Sequence, residues 1–412
     1  MLIPATFGLL VSNDAGETFN WVSEDTVGFG GVYDPDYAIG DQGEIYATTF
    51  DGLKRSTDGA KSFQTMSFFA PDAPTVPLET IWVSQVEVAN DGAVWATTST
   101  GGEPNGVYRS TNGTDFFSAG LFDQIAWWRS IKVAPNNAQV AYVSGFVVGQ
   151  NGNPSKATLF KTVDNGQNWT ELSTLGFEFG SQPNLVIEGV DPNNSEIVYV
   201  RSAFSLDNSG DSIFRSADGG QSFTKVLQAT CTLQAFTIGQ DSSVHVGSVT
   251  PCAGPCELSS EDELGCVESS ATGLADSFVS RPNPPGMNCV GESPHDNNLY
   301  SCGNAFGPEE FILGQSSDNG QSWTKFMDNA NIVGPLDCLD PSCEDNWMAT
   351  CEFIGKCDEG TGSGGDDAGG DTDTGSGGDD DSSGFCNSSS GGWSLALVLG
   401  AFMVFLRRRK RI

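Results

Sequence analysis

The chain is predicted to fold as an all-β propeller of about seven four-stranded blades, and three observations carry that expectation. One short turn motif recurs along the whole of residues 12–323 at a pitch of about 50 residues, the length of one supersecondary unit that needs neighbours to bury its apolar face. Short apolar and β-branched runs alternate with Gly, Asn and Asp turns, and no long stretch shows helical periodicity. About 50 residues per unit suits one four-stranded blade.

The best copies of the motif read SNDAGETF from Ser12, TVDNGQNW from Thr162, SADGGQSF from Ser216 and SSDNGQSW from Ser316. Each places a hydroxyl residue first, Asp third, Gly fifth and an aromatic eighth. Weaker copies are STDGAKSF from Ser56, with Ala60 at the Gly position, and STNGTDFF from Ser110, with Asn112 in place of Asp. An eroded copy, SATGLADSF from Ser270, has its aromatic one place late. An Asp carboxylate accepts nearby backbone N–H groups while Gly takes a positive φ, so the motif reads as a tight hairpin corner whose closing ring packs on the sheet. Runs such as Gly106-Val107-Tyr108 and Ser212-Ile213-Phe214 lead into the corners. Upstream lies a second recurring element, a polar turn before a strand, as in Asn90-Asp91-Gly92 before Ala93-Val94-Trp95.

With these corners the sequence resembles the Asp-box (BNR) repeat family, which includes sialidases, sortilin ectodomains, xyloglucanases and photosystem II assembly factor-like propellers. The resemblance covers residues 1–335. It implies a corner joining the third and fourth strands of each blade, on the rim away from the central channel. Asp14, Asp58, Asn112, Asp164, Asp218 and Asp318 are then structural corner residues and not catalytic groups. The first corner starts at Ser12, which leaves room for one strand before it where a blade needs two more, and no signal peptide opens the chain at Met1. Two accounts stay open. Either the start codon is placed too late, with an export signal and opening strands lost, or the segment after residue 324 supplies the missing strands by swapping around the ring.

The chain holds 53 acidic and 19 basic residues, a formal charge of -34. Nine of the acids lie in residues 358–385 and five of the bases in the last six residues, leaving residues 1–357 strongly negative. Such a surface repels nucleic acid and anionic lipid, so nucleic-acid partners are excluded. Cysteine is absent before Cys231; ten then fall between Cys231 and Cys357, and Cys386 stands alone beyond them. An even set in an exported domain reads as up to five disulfides, with connectivity open. Zinc fits less well, since no paired CxxC knuckles occur and the histidines are His245 and His295. No metal or other cofactor is expected.

The organisation expected is a propeller over 1–335, a Cys-rich closing segment over 336–357, an acidic Gly/Asp/Ser linker over 358–385 and a terminal segment over 386–412. The linker has no aliphatic side chain larger than Ala and reads as a solvated spacer. It leads to Cys386, an apolar run from Trp393 to Leu406, and Arg407-Arg408-Arg409-Lys410-Arg411. That run is short for a bilayer span of roughly 20 residues, yet its interfacial Trp and basic end fit a single transmembrane helix. The order resembles the MYXO-CTERM type of C-terminal sorting signal. The resemblance implies removal of the helix, display at the bacterial cell surface or outer membrane, and processing or lipid modification at Cys386.

Two function classes follow. The alternative is a glycoside hydrolase with its site in the central channel: a sialidase-like enzyme needs three arginines converging there, and the family's early Arg-Ile-Pro motif is absent, while another glycosidase needs two facing carboxylates, which the sequence does not place. Arg55, Arg109 and Arg215, with Lys161, directly precede corners and mark a scaffold position, which leaves Arg129, Arg201 and Arg281. The preferred reading is a non-catalytic binding or scaffold module for a protein or glycan ligand, tied to the membrane through its C-terminal segment. The candidate ligand residues are Trp127, Trp128 and Arg129. Adjacent tryptophans in a strand point to opposite faces, so at most one of the pair is exposed.

Overall fold

The computed structural model describes residues 1–357 apart from 6, 31–33, 79–80, 178, 180–182, 204–209, 249–264, 282–288, 294–295 and 304–310. Its strands form seven sheets arranged as a propeller. Blade 1 contains β1 (Leu2–Ala5), β2 (Gly8–Val11) and β3 (Phe19–Val22), followed by the short helix α1 (Glu24–Val27). Blade 2 is β4 (Tyr37–Ile39), β5 (Ile45–Thr49), β6 (Gly52–Ser56) and β7 (Gln64–Thr65), with β8 (Ser67–Phe69) after it. Blade 3 is β9 (Val83–Val88), β10 (Val94–Thr98), β11 (Val107–Ser110) and β12 (Asp115–Ser118). Blade 4 is β13 (Ala126–Ala134), β14 (Asn137–Val147), β15 (Lys156–Thr162) and β16 (Thr170–Glu171). Blade 5 is β17 (Leu185–Asp191), β18 (Asn194–Ser202), β19 (Ser212–Ser216) and β20 (Thr224–Gln228). Blade 6 is β21 (Ala235–Ile238), β22 (Val244–Ser248), β23 (Cys266–Ser270) and β24 (Val279–Ser280). Blade 7 is β25 (Val290–Glu292), β26 (Leu299–Cys302), β27 (Leu313–Ser316) and β28 (Thr324–Met327), and the chain ends in β29 (Ile332–Pro335), α2 (Ser342–Asp345) and α3 (Trp347–Ile354).

Each predicted corner sits where its hydrogen bonds require. In five of them the first-position hydroxyl donates to the Asp and accepts the N–H of the fifth residue: Ser216 Oγ lies 2.7 Å from Asp218 Oδ1 and 2.8 Å from Gly220 N. The same Asp oxygen accepts the N–H of the seventh residue, and its second oxygen accepts that residue's side chain, as with Ser222 at 2.9 and 2.6 Å. Thr18, Ser62, Asn168 and Ser322 repeat this role. These donors, led by the seventh-position side chain, hold the carboxyls of Asp14, Asp218 and Asp318 down to about 2. Asn112 does the work of an Asp through one oxygen that accepts from Ser110, Thr114 and Asp115. The eroded corner keeps its hydroxyl, with Ser270 Oγ accepting the Gly273 N–H at 2.8 Å.

Behind the corners lies a second repeat. Tyr46, Trp95, Tyr142 and Tyr199 occupy one register position in the second strands, directly opposite Arg55, Arg109, Lys161 and Arg215. The cations stand 5.4 to 5.9 Å from the ring centroids, close enough for cation–π attraction. Three of them also pair with Glu44, Asp91 and Glu196. The scaffold reading of these basic residues therefore holds, and the rings explain it. Each ring is fully buried and reaches the next blade: Tyr46 abuts Gly113, Trp95 abuts Gly166 and Tyr199 abuts Gly273, all corner glycines. Six apolar clusters fill the wedges between blades 1 and 2, 2 and 3, 3 and 4, 4 and 5, 5 and 6, and 7 and 1.

The C-terminal strand resolves the open question about blade 1 in part. β29 joins that blade, but it pairs in parallel with β3 on the outer side, and among the described residues no strand takes the inner position beside β1. β8 does the same beside β12, since the outer strand of a blade leaves an unsatisfied edge that a passing connector can pair. The segment after β29 then folds against blade 1. Leu336 N donates to Trp21 O at 2.7 Å, Trp347 packs on Trp21 at 5.8 Å, and Asn346 reaches Asp25 at 3.0 Å. Disulfides join Cys289 to Cys302, Cys338 to Cys343 and Cys351 to Cys357, and Cys231 and Cys266 are disulfide-bonded as well. Among the described residues no helix is long and apolar enough to cross a membrane. The linker, Cys386 and the apolar run Trp393 to Leu406 lie outside the described residues.

Two glycines separate backbone strain from blade contact. Gly166 has φ +81 and an added Cβ would meet Ala119 O at 2.8 Å, whereas Gly152 has φ +85 with nothing within 4 Å. Gly152→Ala should cost about 1 kcal/mol and Gly166→Ala about 3 kcal/mol, read from chemical unfolding midpoints. Equal costs would remove the corner glycine from the blade contact.

Candidate ligand-binding face

The register fixes which face is which. Ala141 pairs with both Val133, near the end of β13, and Thr162, where the corner begins, so corners and the ends of inner strands share one face. The beginnings of inner strands, the turns between second and third strands, and the blade-to-blade connectors share the other. On that second face four aromatic rings from three blades form an unbroken arc.

Phe50 follows β5 and is 54% exposed. Its ring lies 5.0 Å from Trp82, which precedes β9; Trp82 lies 6.2 Å from Trp127, edge to face at 90°. Trp127 in turn stacks on its cross-strand partner Phe146 at 5.8 Å, and the Arg129 guanidinium stands 5.2 Å from the Phe146 centroid. Trp82, Trp127 and Phe146 are each partly exposed. Trp128 is not part of the arc. It is 3% exposed and packs in the wedge between blades 3 and 4, because the alternation of a strand sends it to the face opposite Trp127.

A bulge aims these residues. In β13 the register shifts between Trp128 and Ser130, at Arg129, and β9 and β17 carry the same irregularity at Ser84 and Glu188. Bulges in this position re-aim side chains toward a site. They also reveal an equivalence: counted from the bulge, Trp82 and Trp127 hold the same place in successive blades. Sequence reading found Trp127 and missed Trp82, Phe50 and Phe146. The signal available was the match of Trp82-Val83-Ser84-Gln85-Val86-Glu87-Val88 with Trp127-Trp128-Arg129-Ser130-Ile131-Lys132-Val133. Ser84 Oγ and Ser99 Oγ hold the Trp128 carbonyl at 2.7 and 2.5 Å, fixing the strand just past Trp127.

Charge lines the strands below the arc. Lys132 pairs with its equivalent Glu87 at 3.1 Å; burial works against its charge, but Glu87, with Asp36 and Glu188 beyond, outweighs burial and raises its pKa. Arg201 is locked between Glu188, Asp211 and Leu233 O, and lines a small crevice with Gln234 and Phe236. Arg281 lies beside Gly320 of the last corner, on the corner face. Arg129, Arg201 and Arg281 are thus not brought together, and no three-arginine grip forms. On the arc's face, the connector after β3 carries Glu24 and Asp34. Burial, then the Asp25 and Asp34 charges, pushes the Glu24 carboxyl up to about 7, and burial pushes Asp34 up to about 6. Among the described residues no group of three or more His, Cys, Asp and Glu side chains is arranged to hold a metal ion.

No protein-family model matches the chain. A xyloglucanase of Hypocrea jecorina (strain QM6a) is 30% identical over 154 residues, a stretch spanning 34% of this chain and 17% of that enzyme. Among solved structures, a GH74 enzyme of Niastella koreensis is similar with 15% identity and a TM-score of 0.38, over 77% of this chain and 60% of that one. YCF48 bound to a D1 peptide is similar with 14% identity and a TM-score of 0.36, over 59% of this chain and 69% of that one.

An acid whose folded pKa is raised contributes most below its unfolded value and loses that contribution as pH rises through the folded value. For Glu24 the window runs from about 4.5 to about 7. Glu24→Gln should therefore raise the melting temperature relative to the parent at pH 8 and change it little at pH 4. A difference that does not grow across this window would contradict the burial of that carboxyl.

Proposed function

We propose that the chain is a non-catalytic binding module that holds a glycan against the arc Phe50, Trp82, Trp127 and Phe146. The observation that carries this reading is the arc itself: four rings in contact, drawn from three blades, partly exposed on the face away from the structural corners. Pyranose rings offer apolar C–H faces that pack on aromatic faces, while Arg129 supplies hydrogen-bond donors at the end of the arc. The acidic surface disfavours nucleic acid. The disulfides support an exported protein, and we assign its display at a bacterial cell surface to the segment 386–412, with Cys386 as the residue processed.

A glycoside hydrolase is the second reading. It is supported by the 30% identity to a xyloglucanase over 154 residues and by Glu24, a carboxyl on the arc's face that stays protonated near neutral pH as a general acid must.

Affinity electrophoresis through gels containing neutral plant and bacterial polysaccharides separates the two. Trp127→Ala and Trp82→Ala should each weaken retardation about tenfold or more, a loss of about 1.4 kcal/mol, with no release of reducing ends by any variant. Binding indifferent to both substitutions would refute the arc as the site, and reducing-end release abolished by Glu24→Gln would establish the hydrolase.

A further inference from the structure

The two tryptophans of the arc come from different blades; Ser84 ties their strands one residue beyond Trp127, and a second link meets the backbone on its other side. We infer that Asn105, a residue that touches neither ring, is the positioning residue that locks Trp82 and Trp127 edge to face, and that the loop it organises leaves one face of Trp127 open to ligand. This inference rests on the proposal that the arc binds a glycan.

Asn105 ends the loop between β10 and β11 and is fully buried. Its amide oxygen accepts the Thr100 N–H at 2.6 Å. Its amide nitrogen lies 3.0 Å from Thr100 O, 3.2 Å from Glu103 O and 3.0 Å from Ala126 O. The last of these is the carbonyl immediately before Trp127. Thr100, gripped on both its backbone groups, accepts the Trp82 N–H on its own hydroxyl at 2.8 Å. One buried amide thus connects the backbone of Trp82, through Thr100, to the backbone of Trp127, through Ala126. The main chain of Asn105 adds two bonds to Asp123, at 2.9 and 2.8 Å, which tie in the connector leading to β13.

Blade 5 offers an internal comparison. Asp211 stands at the entry to β19 and, like Asn105, bonds the following connector through its main chain, to Ala229 and Cys231. Its side chain accepts the Leu233 N–H and pairs with Arg201. There the position serves an ion pair. In blade 3 a neutral amide, able to donate to carbonyls, serves the tryptophans instead.

The loop's tip matters for access. Gly101 is exposed, and a Cβ there would sit 3.7 and 3.8 Å from the Trp127 six-membered ring, in ordinary contact; at Gly102 it would meet nothing within 4 Å. A larger side chain at 101 would therefore lie on the ring, while 102 faces open space but holds a φ of +84 that strains any residue other than glycine.

The test uses the full chain and two readouts, polysaccharide affinity and the part of the tryptophan exciton couplet in circular dichroism that Trp127→Phe removes. Asn105→Ala should erase that part of the couplet and weaken binding about tenfold or more, with the rest of the spectrum kept. Gly101→Val should weaken binding comparably while leaving the couplet intact. Should Asn105→Ala fail to fold, Thr100→Val, which removes the acceptor for Trp82 alone, should diminish the same couplet. An unaltered couplet and affinity in both Asn105→Ala and Thr100→Val, with Trp127→Ala still abolishing binding, would overturn the positioning role and leave the glycan site standing. Binding untouched by Trp127→Ala itself would instead remove the site.

Discussion

A glycine held at positive φ by a buried hydroxyl is the contact on which this propeller depends. The hydroxyl that opens each corner accepts the N–H of the turn's glycine or, at Ala60, its stand-in, and at Gly16, Gly113, Gly166 and Gly273 that flat stretch of backbone is where the preceding blade seats a large ring, whereas Gly220 meets Leu172. The Asp carboxylate does not touch the neighbour; it closes the turn through the seventh residue and so keeps the hydroxyl aimed. An ordering therefore runs from acid to hydroxyl to glycine to ring, and a blade's corner acts mainly on its neighbour. Ala60 shows the limit of the rule. Its methyl is buried in the wedge between blades 1 and 2, where apolar packing offsets the left-handed backbone.

Closure of the ring uses different physics. Six blades follow one pattern, but blade 1 is completed from outside by β29 and by the cysteine-rich turn and helices that follow. Their hold on blade 1 combines a short parallel pairing, a tryptophan pair and side-chain bonds to α1. Short disulfide loops limit the conformations available to a segment with little core of its own. The wedge between blades 6 and 7 differs as well. In blade 6 the ring position holds His245, bonded to Ser243 and Ser269, and its burial, with Arg281 nearby, lowers its pKa to about 4. That joint is knit by hydroxyls and a neutral imidazole where blades 2 to 5 use Tyr or Trp against a cation.

The two faces differ in what their side chains are committed to. Satisfied turns occupy one, and their carboxylates are already committed to backbone donors. On the other, bulges in the inner strands at Ser84, Arg129 and Glu188 break the regular alternation and leave aromatic and charged groups near the strand starts. The same bulge yields different outcomes because its neighbours differ. Beside Arg129 the arc of rings forms, whereas Glu188 is consumed by Arg201. Equivalent positions thus give an arc of aromatic rings in one sector and a closed ion-pair network in the next.

Much of this was legible in the order of residues. Hydroxyl, Asp and Gly at fixed spacing announce a corner by local hydrogen bonding, and repetition at a constant pitch announces blades, because both depend on contacts within a few residues. The basic residue before four of the corners was legible as scaffold for the same reason, though its ring partner was not, since cross-strand register decides that. The seventh corner residue escaped notice because Thr, Ser and Asn share a function without sharing a letter. Tertiary structure alone decided that Trp127 joins Trp82, Phe50 and Phe146 while Trp128 enters the core, that Arg201 is committed to Glu188 and Asp211 while Arg281 lies on the corner face, and that β29 lies outside β3. Each of these turns on which blade edges and strand faces meet across the ring, and such pairings are fixed by closure of the whole and not by any one segment's sequence.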